Sequence, residues 1–211
     1  MRVVNQKPEH PREKTAWQIP RMWEGQTVVC IASGPSLTRD QVDYVRGRVP
    51  VIAINDNYQV APWADMVYGC DHKWWSWHYQ RLAAYKGLMV STDVPAVDAF
   101  ERLLWAQGFS KDGLCTEWPR IHHGGNSGHQ VINIAYHAGA KRVVLLGYDM
   151  KFGRNGAAHW FGDHPDGVRS TYSGFIQAFQ VIAKQRLIEI INCTRETALT
   201  CFSRQRLEDV L

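Results

Sequence analysis

An α/β fold is predicted, a Rossmann-like open and mostly parallel sheet with helices on both faces, in a single domain. Three observations predict it: short apolar runs recur along the chain, helical periods separate them, and the runs end in Gly, Asn, Asp or Ser. Val28-Val29-Cys30-Ile31-Ala32 is a strand buried on both faces and stopped by Ser33-Gly34-Pro35-Ser36. Ser36 or Thr38 can cap a helix through about Arg46, and residues 49–55 form the next strand. Strand, loop, helix and strand within so short a stretch make a βαβ unit, which requires parallel pairing. The alternation continues with a strand at 64–71, a Trp-rich helix to about Tyr85, a strand at 88–92 and a helix over 96–107. Residues 108–126 lack a period and read as a long loop, which a compact domain keeps chiefly for function. A helix then opens at Ser127 and runs through Tyr136 to a C-cap at Gly139, followed by a strand at 142–147. After a second long loop at 150–169, Phe175, Ile176, Phe179, Ile182 and Ala183 mark one helical face, a strand follows at 188–192, and a short helix closes the chain.

The 211 residues, 45% hydrophobic, suffice for one domain with a substantial core. Residues 1–26 are polar, carry Pro8, Pro11 and Pro20, and read as an N-terminal arm; residues 27–211 read as the single Rossmann-like domain. Lys and Arg number 24 against 20 Asp and Glu, a formal charge of +4, and the basic residues are scattered. Charge alone does not imply non-specific DNA binding. No membrane-length apolar stretch and no secretory h-region is present, so a cytoplasmic protein is expected. Five cysteines without zinc-ligand spacing read as buried free thiols. The tryptophans of Lys73-Trp74-Trp75-Ser76-Trp77 exceed one helix face, so some of that surface is expected to cover a ligand or another chain, a homo-oligomer included.

Ligands of open parallel sheets bind beyond the carboxyl ends of the strands. The residues there are Ser33, Gly34, Pro35 and Ser36; Asn55, Asp56 and Asn57; Asp71 and His72; and Tyr148 with Asp149. Asn126-Ser127-Gly128 adds a helix start whose free N–H groups favour an anion, as the glycine loop does. Two such termini point to a phosphorylated ligand, while neither the dinucleotide nor the P-loop fingerprint is met. The segment around His159, Asp163 and His164 brings proton-transfer side chains into a glycine-flanked loop. His122-His123 reads as loop.

The motifs in order, Ala32-Ser33-Gly34-Pro35-Ser36-Leu37, Ile54-Asn55-Asp56-Asn57, Asn126-Ser127-Gly128 and the strand ending Leu146-Gly147-Tyr148-Asp149, resemble those of the bacterial family 42 sialyltransferases. They are also similar to the motility-accessory-factor and archaeal-type 6-hydroxymethylpterin diphosphokinase group, and to small phage proteins. The resemblance implies a Rossmann-like domain that binds a nucleotide sugar without a metal. It implies that Gly34, Pro35, Ser36, Asn55, Ser127 and Gly128 hold the nucleotide, and that His164, in Gly162-Asp163-His164, is the general base. Fourteen residues separate Asp149 from His164, short for an acceptor-covering lid, and the tyrosine pair of those enzymes has no counterpart. Asp71 stands where they have no acidic residue and suits a magnesium-bound di- or triphosphate.

The leading expectation is a glycosyltransferase using a nucleotide-sugar donor, with the nucleotide across a switch point between the first and second strands and no required cofactor or metal. An acceptor hydroxyl on a glycan or on modified DNA is compatible with the charge and aromatics. One alternative is a magnesium-dependent phosphoryl or pyrophosphoryl transferase using ATP, with Asp71 and Asp149 on the ion. The other is a nucleotide-binding or scaffolding protein without catalysis.

Overall fold

β-Branched and leucine-rich runs form the strands and polar-capped segments form the helices, as the patterning requires. The computed structural model describes residues 15–162 and 171–211. In chain order the elements are β1 (Thr27–Ile31), α1 (Arg39–Val45), β2 (Val51–Ile54), β3 (Met66–Tyr68), α2 (His72–His78), β4 (Leu88–Ser91), α3 (Val94–Ala99) and β5 (Leu103–Trp105). There follow β6 (Gly108–Phe109), β7 (Ile121–His122), α4 (Ser127–His137), β8 (Arg142–Leu146), α5 (Tyr172–Gln185), β9 (Glu189–Asn192) and β10 (Ser203–Arg204). Eight strands make one parallel sheet in the order β10-β9-β8-β1-β2-β3-β4-β5, and β6 and β7 pair separately.

The period of two along each strand feeds two cores. Val28 and Cys30 join Ile52, Val143 and Leu145 beneath α4 and α5, where Ile132, Phe179 and Ile182 cover them. Val29 and Ile31 join Val51, Ala53, Val144 and Leu146 on the opposite face, covered by Val42 of α1 and Trp75 of α2. Each such fully buried aliphatic side chain contributes about 1.5–3 kcal/mol, so β1, sealed on both faces, is the mechanical centre of the domain.

Several expectations are corrected. The helix foreseen over 96–107 is short: Asp93 caps it, accepting from the Ala96 N–H at 2.7 Å, and Phe100 turns the backbone extended. Leu103, Leu104 and Trp105 then add an edge strand to β4, because this apolar triplet gains sheet hydrogen bonds there. Residues 108–126 contain the small β6–β7 pair, and β10 precedes the expected short closing helix, a single 3-10 turn at Leu207–Asp209. The described end of the N-terminal arm is packed: Ile19 is fully buried, Trp23 nearly so, and the Trp17 N–H donates to the Trp105 carbonyl at 2.8 Å. Two tryptophans of α2, Trp74 and Trp75, are buried, and Trp77 is half-buried. The switch point lies between β1 and β8 and not between β1 and β2, since the chain travels outward from β1 to β5 and returns through α4 to the other side of β1. Among the described residues no helix is long and apolar enough to cross a membrane.

Candidate functional site

At the carboxyl ends of β1, β2, β3 and β8 a cavity of about 460 Å³ opens against the start of α4. The glycine loop after β1 supplies Ser33 and Gly34. The Gly34 N–H donates to the Gly147 carbonyl at 2.8 Å. A Cβ on Gly34 would lie 2.0 Å from Asp149 Oδ1 and 2.4 Å from the Gly147 oxygen, so only glycine permits this approach. Ser36 fastens the loop: its N–H donates to Asp149 Oδ2 at 2.9 Å, and its hydroxyl accepts from the Glu196 N–H at 3.2 Å. Pro35 packs near Gly153, and neither Pro35 nor Ser36 lines the cavity. The N-cap of α1 is Thr38, whose hydroxyl accepts from the Gln41 N–H.

Asp149 follows β8 and is 2% exposed. Burial lifts its carboxyl from the ordinary 3.8 to about 6, against the opposing pull of the Ser36 hydrogen bonds and Lys151. Its Oδ1 is buried and has no hydrogen-bond partner among the described residues. On the other side of β1, Asn55 begins the 3-10 turn at Asn55–Gln59 with φ +51° and lines the same cavity. Its Oδ1 is likewise buried without a partner among the described residues. These two orphaned acceptors stand on either side of the β1 end. Burying either without a donor costs roughly 1–3 kcal/mol, and both residues line the cavity.

The start of α4 faces them. Asn126 caps it, accepting from the His129 N–H at 3.2 Å, and the N–H groups of Ser127 and Gly128 lie in the first turn, where α-helix geometry supplies no partner. Gly128 admits no Cβ, which would press to 2.7 Å from the Tyr148 ring. Tyr148 itself is fully buried: its hydroxyl donates to the Gly128 carbonyl at 3.1 Å, so it props the helix start without facing the cavity. The Ser127 hydroxyl lies 3.1 Å from Cys70 Sγ, and burial pushes that thiol up to about 12.

Asp71 lines the cavity beside Cys70. Among the described residues no three His, Cys, Asp or Glu side chains converge to hold a metal ion. His159 lines the cavity from the loop after β8; Asp163 and His164 fall outside the described residues. The histidines at 122 and 123 do not line it.

Two walls remain; the tryptophan-rich one was expected from the sequence to cover a ligand or another chain, and the other was not singled out. Trp74 and Trp77 of α2 form one, with Lys73 Nζ 5.2 Å from the Trp77 ring. Trp74 is fixed from behind, its indole N–H donating to Asp56 Oδ2 at 3.0 Å and its ring stacked on His78 at 4.6 Å. Met150, Lys151, Tyr172 and Phe175 form the other. A signal for Tyr172 and Phe175 existed, since they sit three apart at the first turn of a helix that follows a long loop.

No family model matches the chain, and no curated protein matches it in sequence. Among solved structures, the chain is similar to the sialyltransferase CstII from Campylobacter jejuni in complex with the substrate analogue cytidine-5'-monophosphate. The TM-score is 0.58 at 16% identity, over 86% of this chain and 85% of that one. CstII with CMP-3FNeuAc gives 0.52 at 14% identity, over 84% of each chain. At such identities the likeness establishes a shared fold: this chain has the α/β architecture of those structures.

Proposed function

We propose that the protein is a glycosyltransferase that takes a sugar from a nucleotide-sugar donor. The observation that carries this reading is the pair of buried, unanswered acceptors, Asn55 Oδ1 and Asp149 Oδ1, in one cavity with the open N–H groups at the start of α4. The pair asks for hydroxyl or amino donors, and the helix start favours an anion. A nucleotide brings both, with ribose hydroxyls and a phosphate. The cytidine nucleotides bound to the structurally similar CstII support a nucleotide in this cavity.

In the reaction so proposed, a histidine of the loop after β8 takes the proton of the acceptor hydroxyl, and the hydroxyl oxygen attacks the anomeric carbon as the bond to the donor phosphate breaks. The cavity-lining position of His159 supports giving it this role. His164, whose part the sequence resemblance implies, is the competing residue. Negative charge developing on the leaving phosphate is met by the N–H groups of Ser127 and Gly128 and by Lys151. No step needs a metal. A glycan or a modified nucleic acid is the acceptor class in view.

Thermal shifts with CMP, UDP, GDP, ADP and ATP, each with and without magnesium, test the reading. A ligand at a hundred times its Kd adds about 2.7 kcal/mol of stability. Metal-independent stabilisation by a mono- or diphosphate supports the transferase and names its base. Asp71 and Asp149 line one cavity, which favours magnesium-dependent phosphoryl transfer as the second reading. Stabilisation by ATP that vanishes with chelator would select it, and silence across the panel would leave a non-catalytic protein.

A further inference from the structure

The loop that carries His159 is tied to the cavity by a chain of hydrogen bonds. Asn57 is fully buried in the middle of the 3-10 turn that follows β2, and its amide N–H groups donate to Ser33 Oγ at 3.0 Å and to the Ile54 carbonyl at 2.7 Å. With both donors engaged, the direction of Asn57 Oδ1 is fixed. That oxygen accepts from the indole N–H of Trp160 at 2.9 Å. The backbone N–H of Trp160 donates to the Ser33 carbonyl at 3.0 Å, so Trp160 is held both by the glycine loop and by Asn57.

From the fixed indole a ladder of rings leads to the histidine. Trp160 meets Phe161 edge-on with centroids 5.3 Å apart, and Phe161 stacks on His159 at 5.0 Å with an interplanar angle of 11°. The Gly162 N–H returns to the His159 carbonyl at 3.1 Å, closing a tight turn that Gly162 enters at φ +100°. Ring contacts of this kind contribute about 0.5–1.5 kcal/mol each, enough to favour one histidine orientation when their base is immobile.

We propose that Trp160 is a positioning residue: through Asn57 beneath it and Phe161 beside it, it holds the His159 imidazole over the loop at Ser33 and Gly34. The kinetic part of its test rests on the glycosyltransferase reading; the spectroscopic part does not. Trp160→Phe keeps a flat apolar ring and removes the indole N–H. In a 1H–13C spectrum the His159 Cε1–H signal, assigned by its loss in His159→Ala, is shifted by the stacked Phe161 ring in the wild type. It moves toward the position of an unstacked histidine in Trp160→Phe.

With a nucleotide-sugar donor that the wild type uses, Trp160→Phe lowers kcat by about 10–100-fold and leaves nucleotide Kd within about threefold. In a His159→Ala background the same substitution adds nothing. Should Trp160→Phe fail to fold, Asn57→Ser withdraws the acceptor from the indole and repeats the test from the other side. An unmoved His159 signal overturns the proposal, as does a full Trp160→Phe effect in the absence of His159. If no donor is used at all, the glycosyltransferase reading fails, and the His159 signal still decides whether Trp160 positions it.

Discussion

Replacing Asp149 with asparagine should make the ligand-free protein more stable while weakening what it binds. Asp149 is 2% exposed, one of its oxygens is unanswered, and its carboxyl is lifted from 3.8 to about 6 by burial, with the Ser36 hydrogen bonds pulling the other way. At about 1.4 kcal/mol per pKa unit, keeping this group ionised at neutral pH costs the fold about 3 kcal/mol. Because the folded-state value lies above the unfolded one, the cost is absent below about pH 4, grows as pH rises through 4 to 6, and is complete above that. Asparagine keeps a carbonyl for the Ser36 N–H and carries no charge. Urea unfolding of both proteins at pH 4, 5, 6 and 7 should therefore give equal stabilities at the acid end and a variant about 2–3 kcal/mol more stable at pH 7. Taking the difference between the two cancels the opposing contributions of His123, His129 and His137, which burial holds below the ordinary histidine value. Nucleotide affinity should fall about 10–100-fold, the worth of a hydrogen bond to a charged acceptor. A variant as unstable as the wild type at pH 7, or less stable, would refute the claim that this carboxylate is buried at a cost.

Gly34→Ala places a methyl 2.4 Å from the Gly147 carbonyl, a backbone atom that cannot swing aside. A loss of about 1–3 kcal/mol in urea unfolding, together with lost nucleotide stabilisation, is expected. Asn55→Gly suits the φ of +51° and removes Oδ1. Stability should change by less than about 1 kcal/mol while nucleotide Kd, by calorimetry, rises up to about tenfold. His159→Ala and His164→Ala, assayed side by side for transfer, should divide: the residue that takes the acceptor proton loses about 10²–10⁴ in turnover with nucleotide affinity intact. Loss confined to His164→Ala would move the base from His159.

The central strands were legible because β1 and β8 are sealed on both faces, and residues so placed must be apolar without interruption, as Val28–Ile31 and Val143–Leu146 are. Much of the cavity was legible for a related reason: in a parallel sheet all strand ends point one way, so Gly34, Asn55, Asp71 and Asp149 are gathered by topology. The edge was harder. Ala96, Val97, Phe100, Leu103 and Leu104 mimic a helical period, and the cap at Asp93 with the triplet Leu103–Trp105 decides otherwise only once β4 is there to pair with. Nothing local says on which side of β1 the returning strand will land, hence the misplaced switch point. Trp160 and Lys151 carry no pattern of their own, because positions such as that of Trp160 are set by contacts like the Trp160–Asn57 bond, between residues far apart in sequence.

The seam between β1 and β8 also fixes when the site comes into being. Thr27 to Ile31 lie against Arg142 to Leu146, partners more than a hundred residues apart, whereas β1 can pair with β2 as soon as residues 51–53 exist. Closing so long a loop is entropically costly, and the contacts that reward it form late. During synthesis, at about 5–20 residues per second, a nascent chain can lay down β1 through β5 for several seconds while its glycine loop still lacks Gly147 and Asp149. The cavity is thus among the last parts of the molecule to be completed, and a bound nucleotide, touching residues from both halves, would act as a rivet across the joint and slow its reopening.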